Sequence, residues 1–128
     1  MEKLAQAVNT AIGVDIIEIR RIRGVISRWQ DSFLNRVYTR AELESHNNIP
    51  SLAARFAAKE AVMKALGIGA GIVGWRDIEI VTNGSGAPLV KLHRRARERS
   101  KEIGITQFHI SLSHSKEYAV AFVIGHAT

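Results

Sequence analysis

Residues 55–67 place the strongest constraint on the fold, because their sequence, RFAAKEAVMKALG, is typical of a buried helix. Apolar residues occupy almost every side of that helix, so little of it can face water. Four charged residues interrupt the run: Arg55, Lys59, Glu60 and Lys64. Arg55 and Lys59 are neighbours on the helix, where two cations repel unless an anion lies between them. This pattern favours a phosphate-rich ligand and its metal. The alternative is a partly exposed core helix with an ordinary Glu60–Lys64 ion pair.

Length and composition predict one domain spanning residues 1–128, with enough apolar residues, 46%, for a folded core. The chain has no cysteine, which excludes disulfides, thiolate zinc sites and thiol nucleophiles and suits a reducing cytoplasm. The scattered apolar residues of the first segment, interrupted by Asp15, argue against an export signal. No apolar run is long enough to predict a membrane-spanning helix. We therefore expect a cytoplasmic protein with no membrane partner.

The net charge of +6 and the pI near 10.2 predict an anionic partner. Nucleic acid, an anionic membrane, a phosphorylated small molecule and an acidic protein all meet that description. The basic residues fall in two clusters, at 20–28 and 93–101. Neither cluster has the interleaved aromatic residues of a single-strand-binding surface, and no nucleic-acid-binding signature is visible.

Hydrophobic periodicity and turn residues predict an α+β fold, in which a mostly antiparallel sheet packs with helices in a single compact domain. Helices are expected at 20–29, after a capping box at Thr39–Glu42, after Ser51 as N-cap, and at 93–103. Four glycines in eight residues predict a loop at 67–74. The expected strands are 11–19, 77–82, 88–92, 107–113 and 117–124.

Two isolated carboxylates are candidates for a metal site. Asp15 lies within a β-branched strand, and Glu60 lies within the apolar helix. Magnesium is commonly held by one or two carboxylates, with water and substrate phosphates completing its octahedron. The two acids together with the cationic helix therefore fit a metal–diphosphate site. The alternative for Asp15 is a strand residue whose side chain simply lies in water.

His114 is a third candidate, because it ends an apolar row on one face of the strand at 108–112. Its neighbours Ser113 and Ser115 add hydrogen-bond donors, which is suggestive of phosphate or base-edge binding. The alternative is a histidine held by a local hydrogen bond at the end of a core stripe.

Three blocks of this sequence resemble the signature blocks of bacterial holo-[acyl-carrier-protein] synthases, the small group of 4′-phosphopantetheinyl transferases. They read GVDIIEIRRI at 13–22, RFAAKEAVMKALG at 55–67 and SLSHSKEYAVA at 111–121. The segment WRDIEIVTNGSGAP at 75–88 is similar to the family's connecting strand and turn. The resemblance runs from Gly13 to the C-terminus in the same order. Two departures are Ala87, where the family often has a lysine before the proline, and a possible N-terminal extension at residues 1–11.

The resemblance implies Mg²⁺-dependent transfer of the 4′-phosphopantetheine group of coenzyme A to a serine of apo-acyl carrier protein, in fatty acid biosynthesis. Adenosine 3′,5′-bisphosphate would be released. By the same resemblance, Asp15 and Glu60 would bind Mg²⁺, Lys64 would contact the diphosphate, and Arg55 and His114 would bind the 3′-phosphate. Five further residues of these motifs are expected to contact the cofactor: Lys59, Ser113, Ser115, Gly86 and Pro88. The general base stays open between Glu60, a water on the metal and no protein group.

The resemblance also implies a homotrimer with its sites between subunits, and carrier-protein docking at Arg21 and Arg28. Two other functions remain as alternatives at this stage. A basic nucleic-acid-binding module is supported by charge and by HRRARERSK at 93–101, but leaves Glu60 unexplained. A coenzyme A-binding regulatory protein without catalysis is disfavoured by the two acids.

Overall fold

The computed structural model describes residues 9–127 and has an α+β architecture, as the sequence predicts. The elements in chain order are β1 (Thr10–Glu18), α1 (Ile19–Trp29), α2 (Asp31–Val37), α3 (Arg40–Ser45), α4 (Ile49–Leu66), β2 (Ile78–Thr82), β3 (Pro88–Leu92), α5 (Arg94–Ile103), β4 (Gln107–His114) and β5 (Tyr118–His126). A short 3₁₀ turn, Trp75–Asp77, precedes β2. The sequence did not predict helix α2. Gln30 adopts a positive φ of 46°, which ends α1 and lets α2 begin in a new direction.

Both sheets are antiparallel. One has the strand order β1-β5-β4, and the other is the β2–β3 hairpin. In the larger sheet Gly13 is opposite Val123, and Thr10 is opposite His126. Residues 1–8 of the possible extension lie outside the described residues, whereas Thr10 and Ala11 belong to β1. None of the helices between residues 9 and 127 is long and apolar enough to cross a membrane.

Helix α4 packs across the inner face of the larger sheet and forms the centre of the core. Its approach to β1 is so close that a Cβ on Gly13 would lie 1.8 Å from the Ala61 carbonyl oxygen. Only glycine fits there, and this contact fixes the position of Asp15, two residues further along β1, relative to the helix. The N-cap is Asn48, whose Oδ1 accepts from the Ser51 amide at 3.0 Å, so our assignment of Ser51 as N-cap is wrong. The helix ends at Gly67, which has a left-handed φ of 72°.

A buried ion pair ties α4 to the β2–β3 layer. Glu42, held in the predicted capping box, accepts from the Lys59 ammonium at 2.9 Å and from the Ile80 amide at 2.9 Å. The Lys59 ammonium also donates to the carbonyl oxygens of Trp75 and Ile78. Lys59 is fully buried and its hydrogen bonds are used within the core. The expectation that Lys59 contacts a phosphate is therefore wrong.

Candidate active site

Asp15, Glu60 and Lys64 form what we call the acidic half-site. Asp15 projects from the inner face of β1, and Glu60 and Lys64 lie one turn apart on α4. The Lys64 ammonium donates to Asp15 Oδ1 at 3.1 Å and to the Val14 carbonyl oxygen at 2.9 Å. Lys64 thus pairs with the strand and links α4 to β1.

Glu60 is partly buried and lies near a second carboxylate, Asp15. Burial raises the pKa of the Glu60 carboxyl above its ordinary value, and the charge of Asp15 raises it further, against the opposing effects of Lys64 and Arg21. A carboxylate that is disfavoured by its surroundings gains from a cation placed beside it. The described residues hold no cluster of three or more His, Cys, Asp or Glu suited to a metal. Two carboxylates fit an ion such as Mg²⁺, which keeps most of its ligands as water and substrate phosphate.

Glu60→Gln should therefore raise the melting temperature of the metal-free protein at neutral pH. The folded-state pKa of Glu60 is raised, so the charged carboxylate opposes folding once the pH exceeds the unfolded-state pKa, and a neutral amide removes that cost. Scanning calorimetry in EDTA at two pH values measures the effect. The gain should disappear below the unfolded-state pKa, where Glu60 is protonated in both states. A variant less stable than the parent at pH 7 would contradict this account.

A second group of predicted residues surrounds a separate cavity of about 260 Å³, which we call the anion half-site. Its lining comes from α4, the β2–β3 turn and the end of β4: His46, Ser51, Ala54, Arg55, Gly86, Pro88, Leu112, Ser113 and His114. Arg55 is only 5% exposed, and its Nη2 donates to Thr82 Oγ1 at 3.2 Å. Its Nε has no hydrogen-bond partner within residues 9–127. A buried guanidinium with a free donor beside a histidine and serines is suited to an anion such as phosphate.

Ser115 does not join this cavity, although the sequence places it beside His114. Its hydroxyl accepts from the amides of Glu117 and Tyr118 and closes the β4–β5 turn. The expectation that Ser115 contacts the cofactor stays a prediction, and the hydrogen bonds of its hydroxyl are those of the turn. His46 and Thr82 contribute to the half-site but were missed, since they lie outside the motifs and reach Arg55 only through the tertiary fold. Burial and the nearby Arg55 charge lower the pKa of His46, which favours its neutral form.

The two half-sites lie on opposite sides of α4. Arg55 and Lys64 are nine residues apart, which is two and a half helical turns and therefore about 180° around the axis. A cavity whose lining includes Glu60 and Lys64 shares no lining residue with the cavity beside Arg55. Helix α4 therefore lies between the two half-sites of one chain.

The helix α1 carries the two predicted docking arginines on an exposed surface. Arg21 is exposed and lies close enough to Glu60 to lower its pKa. Arg28 is also exposed, and its guanidinium lies 5.9 Å from the centre of the Trp29 ring. Trp29 itself is 59% exposed, although Ile22, at helical spacing from it, is buried. The basic surface of α1 therefore borders the acidic half-site.

Comparison with known proteins gives one consistent family. The family model of the 4′-phosphopantetheinyl transferase superfamily matches residues 11–123. The holo-[acyl-carrier-protein] synthase of Herpetosiphon aurantiacus is 49% identical over 121 residues, covering 88% of this chain and 95% of the relative. That of Moorella thermoacetica is 51% identical over 116 residues, covering 88% and 90%.

Solved structures agree with the sequence comparison. The Helicobacter pylori holo-[acyl-carrier-protein] synthase in complex with coenzyme A superimposes with a TM-score of 0.81 at 34% identity, covering 89% of this chain and 98% of that one. The Bacillus anthracis enzyme, in complex with coenzyme A (3′,5′-ADP), gives a TM-score of 0.74 at 34% identity, covering 92% and 96%.

Proposed function

The chain belongs to the 4′-phosphopantetheinyl transferase superfamily, and from this premise we propose that it is a Mg²⁺-dependent holo-[acyl-carrier-protein] synthase. It transfers 4′-phosphopantetheine from coenzyme A to a serine of apo-acyl carrier protein and releases adenosine 3′,5′-bisphosphate, in cytoplasmic fatty acid biosynthesis. The observation that carries this proposal is the pair of half-sites. Carboxylates with a lysine suit the metal and diphosphate, and a buried arginine with a free donor suits the 3′-phosphate.

The reaction requires a serine hydroxyl to attack the β-phosphorus of coenzyme A while the diphosphate P–O bond breaks. Catalysis of such a transfer is mostly positioning and stabilisation of negative charge on the phosphoryl and leaving oxygens. Asp15 and Glu60 would hold Mg²⁺, which supplies charge neutralisation to both phosphates when bound. Lys64 adds a donor at the diphosphate, and Arg55 with His114 anchors the 3′-phosphate away from the breaking bond.

The proton of the serine hydroxyl must leave during attack. Glu60 is a candidate base, because its raised pKa gives it a higher proton affinity than an ordinary carboxylate. A carboxylate that holds a metal must stay deprotonated, whereas a carboxylate that acts as the base must accept a proton. Base catalysis without a protein group therefore stays in the proposal as the alternative.

We extend the proposal to the assembly, as a homotrimer whose active sites lie between subunits. Coenzyme A carries its 3′-phosphate and diphosphate on one ribose, yet the half-sites of one chain lie on opposite sides of α4. One chain's acidic half-site must then meet a neighbour's anion half-site. The outer face of the larger sheet supports such contacts, because it exposes a contiguous set of large apolar side chains: Ile12, Val14, Ile16, Phe122 and Ile124.

The transfer itself is tested by incubating the protein with apo-acyl carrier protein, coenzyme A and Mg²⁺. Mass spectrometry should show the carrier gaining one phosphopantetheine group, with adenosine 3′,5′-bisphosphate released in equal amount. Binding of coenzyme A without any mass gain would favour the regulatory alternative. Salt-sensitive nucleic-acid binding without transfer would favour the basic-module alternative.

Arg21→Glu should raise the KM for apo-acyl carrier protein severalfold, flatten its salt dependence and leave coenzyme A binding nearly unchanged. Carrier proteins of this class are acidic, and an exposed cation at an interface acts mainly on association. Lys101→Glu, which makes the same charge change on exposed α5, is the matched control and should behave as wild type. An unaltered KM for the carrier, or an equal loss of coenzyme A affinity, would exclude α1 as the docking surface.

A further inference from the structure

Two histidines meet at one end of the larger sheet, outside both half-sites. His109 comes from β4, and His126 is the last residue of β5. Their Nε2 atoms are 2.9 Å apart. The ring planes differ by 8° and the ring centroids are 5.0 Å apart, so the rings meet edge to edge through these two nitrogens. His109 precedes His114 by five residues, which places the pair about 17 Å of strand away from the anion half-site.

The strand register explains why these two side chains meet. Gln107 is directly opposite His126, and His109 is opposite Ile124. His109 and His126 are therefore diagonal neighbours on the outer face of the sheet, at a spacing that ring side chains can span. His109 is exposed and His126 is partly exposed, so an ion in solvent can reach both rings.

The hydrogen bonds of His126 show which of its nitrogens carries the proton. Its Nδ1 lies 2.8 Å from the carbonyl oxygen of Ala127, and a carbonyl oxygen can only accept, so Nδ1 donates. In the neutral ring the lone pair of Nε2 is then directed at His109, whose Nε2–H donates to it. Histidines that bind metals usually donate their other ring N–H to a backbone carbonyl or a carboxylate in this way. His126 is thus already in the tautomer that a metal ion requires.

We propose that His109 and His126 bind one divalent transition-metal ion through their Nε2 atoms, with water completing the coordination. His109 takes part by moving its proton from Nε2 to Nδ1, which leaves the ring neutral. Two imidazole nitrogens on one ion lie roughly 2.9–3.3 Å apart in square-planar or tetrahedral geometry, so the observed separation of 2.9 Å is already within that range. The rings need only turn about their Cβ–Cγ bonds, a soft torsion, until both lone pairs point at the ion.

The two imidazoles determine which ions are bound. Imidazole nitrogens favour Zn²⁺, Ni²⁺ and Cu²⁺, whereas Mg²⁺ prefers oxygen ligands such as those of Asp15 and Glu60. The site is therefore chemically distinct from the acidic half-site, and it does not depend on the proposed transfer. An ion bound there would link the edge strand β4 to the end of β5, and it would stabilise the folded chain at concentrations above its dissociation constant.

Copper is a suitable probe, because the electron paramagnetic resonance spectrum of Cu²⁺ reports the nitrogens that are bound to it. Protein without an affinity tag is kept in excess Mg²⁺, which occupies the carboxylates, and is titrated calorimetrically with Cu²⁺ and separately with Zn²⁺. His109→Gln and His126→Gln each remove one ligand at a solvent-accessible position. His93→Gln is the matched control, since His93 hydrogen-bonds to Glu79 and is not part of the pair.

The wild-type protein should bind one ion per chain at the pair, and one equivalent of Cu²⁺ should show coupling to two imidazole nitrogens. Each pair variant should weaken this binding about tenfold or more, because removing even a supporting partner of a metal-binding histidine costs roughly 10–100-fold. Zn²⁺ should raise the melting temperature of the wild type and of His93→Gln, and should leave that of both pair variants unchanged.

Unchanged ion affinity in either pair variant would overturn the inference, because the ion would then be bound without that histidine. A wild-type copper spectrum with coupling to one nitrogen or none would also overturn it. The contact between His109 and His126 would in that case be only a hydrogen bond between neighbouring strands.

Discussion

Asp15→Asn and Glu60→Gln should each lower kcat/KM for carrier modification by on the order of 100-fold or more at limiting Mg²⁺, because each removes one of two carboxylates available to the metal. Less Mg²⁺ would then be bound to offset the charge that develops on the leaving diphosphate, and Lys64 would supply more of that stabilisation. The fold should persist in both variants, since neither side chain belongs to the buried core.

The loss should depend on the metal concentration. Raising Mg²⁺ should recover part of the activity of either variant, because the remaining carboxylate still contributes to the site. Glu44→Gln, at an exposed position on α3, is the control for removing one negative charge and should keep wild-type turnover. Near-normal turnover of Asp15→Asn or Glu60→Gln at low Mg²⁺ would refute the assignment of the metal ligands.

The two acids were predictable because each breaks a local pattern. Asp15 interrupts a β-branched strand and Glu60 interrupts an apolar helix. Both interruptions are visible from the neighbouring residues in the sequence. Their mutual approach depends on Gly13, which lets β1 lie against the Ala61 backbone. Nothing in the sequence distinguishes that glycine from other strand residues. The sequence therefore predicted the members of the acidic half-site but not the contact that brings them together.

The roles of the cations of α4 were harder to predict. Each of them stands out as a charged residue in an apolar helix, but the pattern does not show which group each one contacts. Lys59 meets Glu42, which arrives from a capping box 17 residues earlier. Arg55 meets Thr82 and keeps one donor free. Long-range packing decides whether a cation of this helix is paired within the core or keeps a free donor, and hydrophobic periodicity carries no information about such packing.

The sequence predicted the strands of the larger sheet better than it predicted what covers them. The β-branched run bounded by polar residues predicted a strand at 11–19, and the structure confirms that strand as β1. It also exposes Ile16 (63%) and its apolar neighbours on the other face, where alternation predicts polar residues. A sequence with apolar residues on both faces of a strand indicates burial on both sides, and the second covering layer is not supplied by this chain within residues 9–127.

Mixing Glu60→Gln protein with His114→Ala protein should restore activity that neither variant has alone at subsaturating coenzyme A. If each active site takes its acidic half from one subunit and its anion half from the next, a mixed assembly contains some sites with both halves intact. Every mixed cyclic trimer has one of its three sites intact, so purified mixed assemblies should recover about one third of the wild-type activity. Subunits are exchanged by co-expression with two affinity tags, so that only mixed assemblies are assayed.

The controls separate shared sites from a general effect of mixing. Glu60→Gln mixed with Asp15→Asn should stay inactive, because both changes fall in the same half-site and no pairing of subunits regenerates it. Phe122→Glu, on the exposed apolar face, should yield monomers by analytical ultracentrifugation and no transfer at low coenzyme A. Verified mixed trimers without recovered activity would show that one chain completes its own site. Arg55 and Lys64 of the same chain, which lie on opposite sides of α4, would then have to contact a single ligand. That contact would require a movement of the chain.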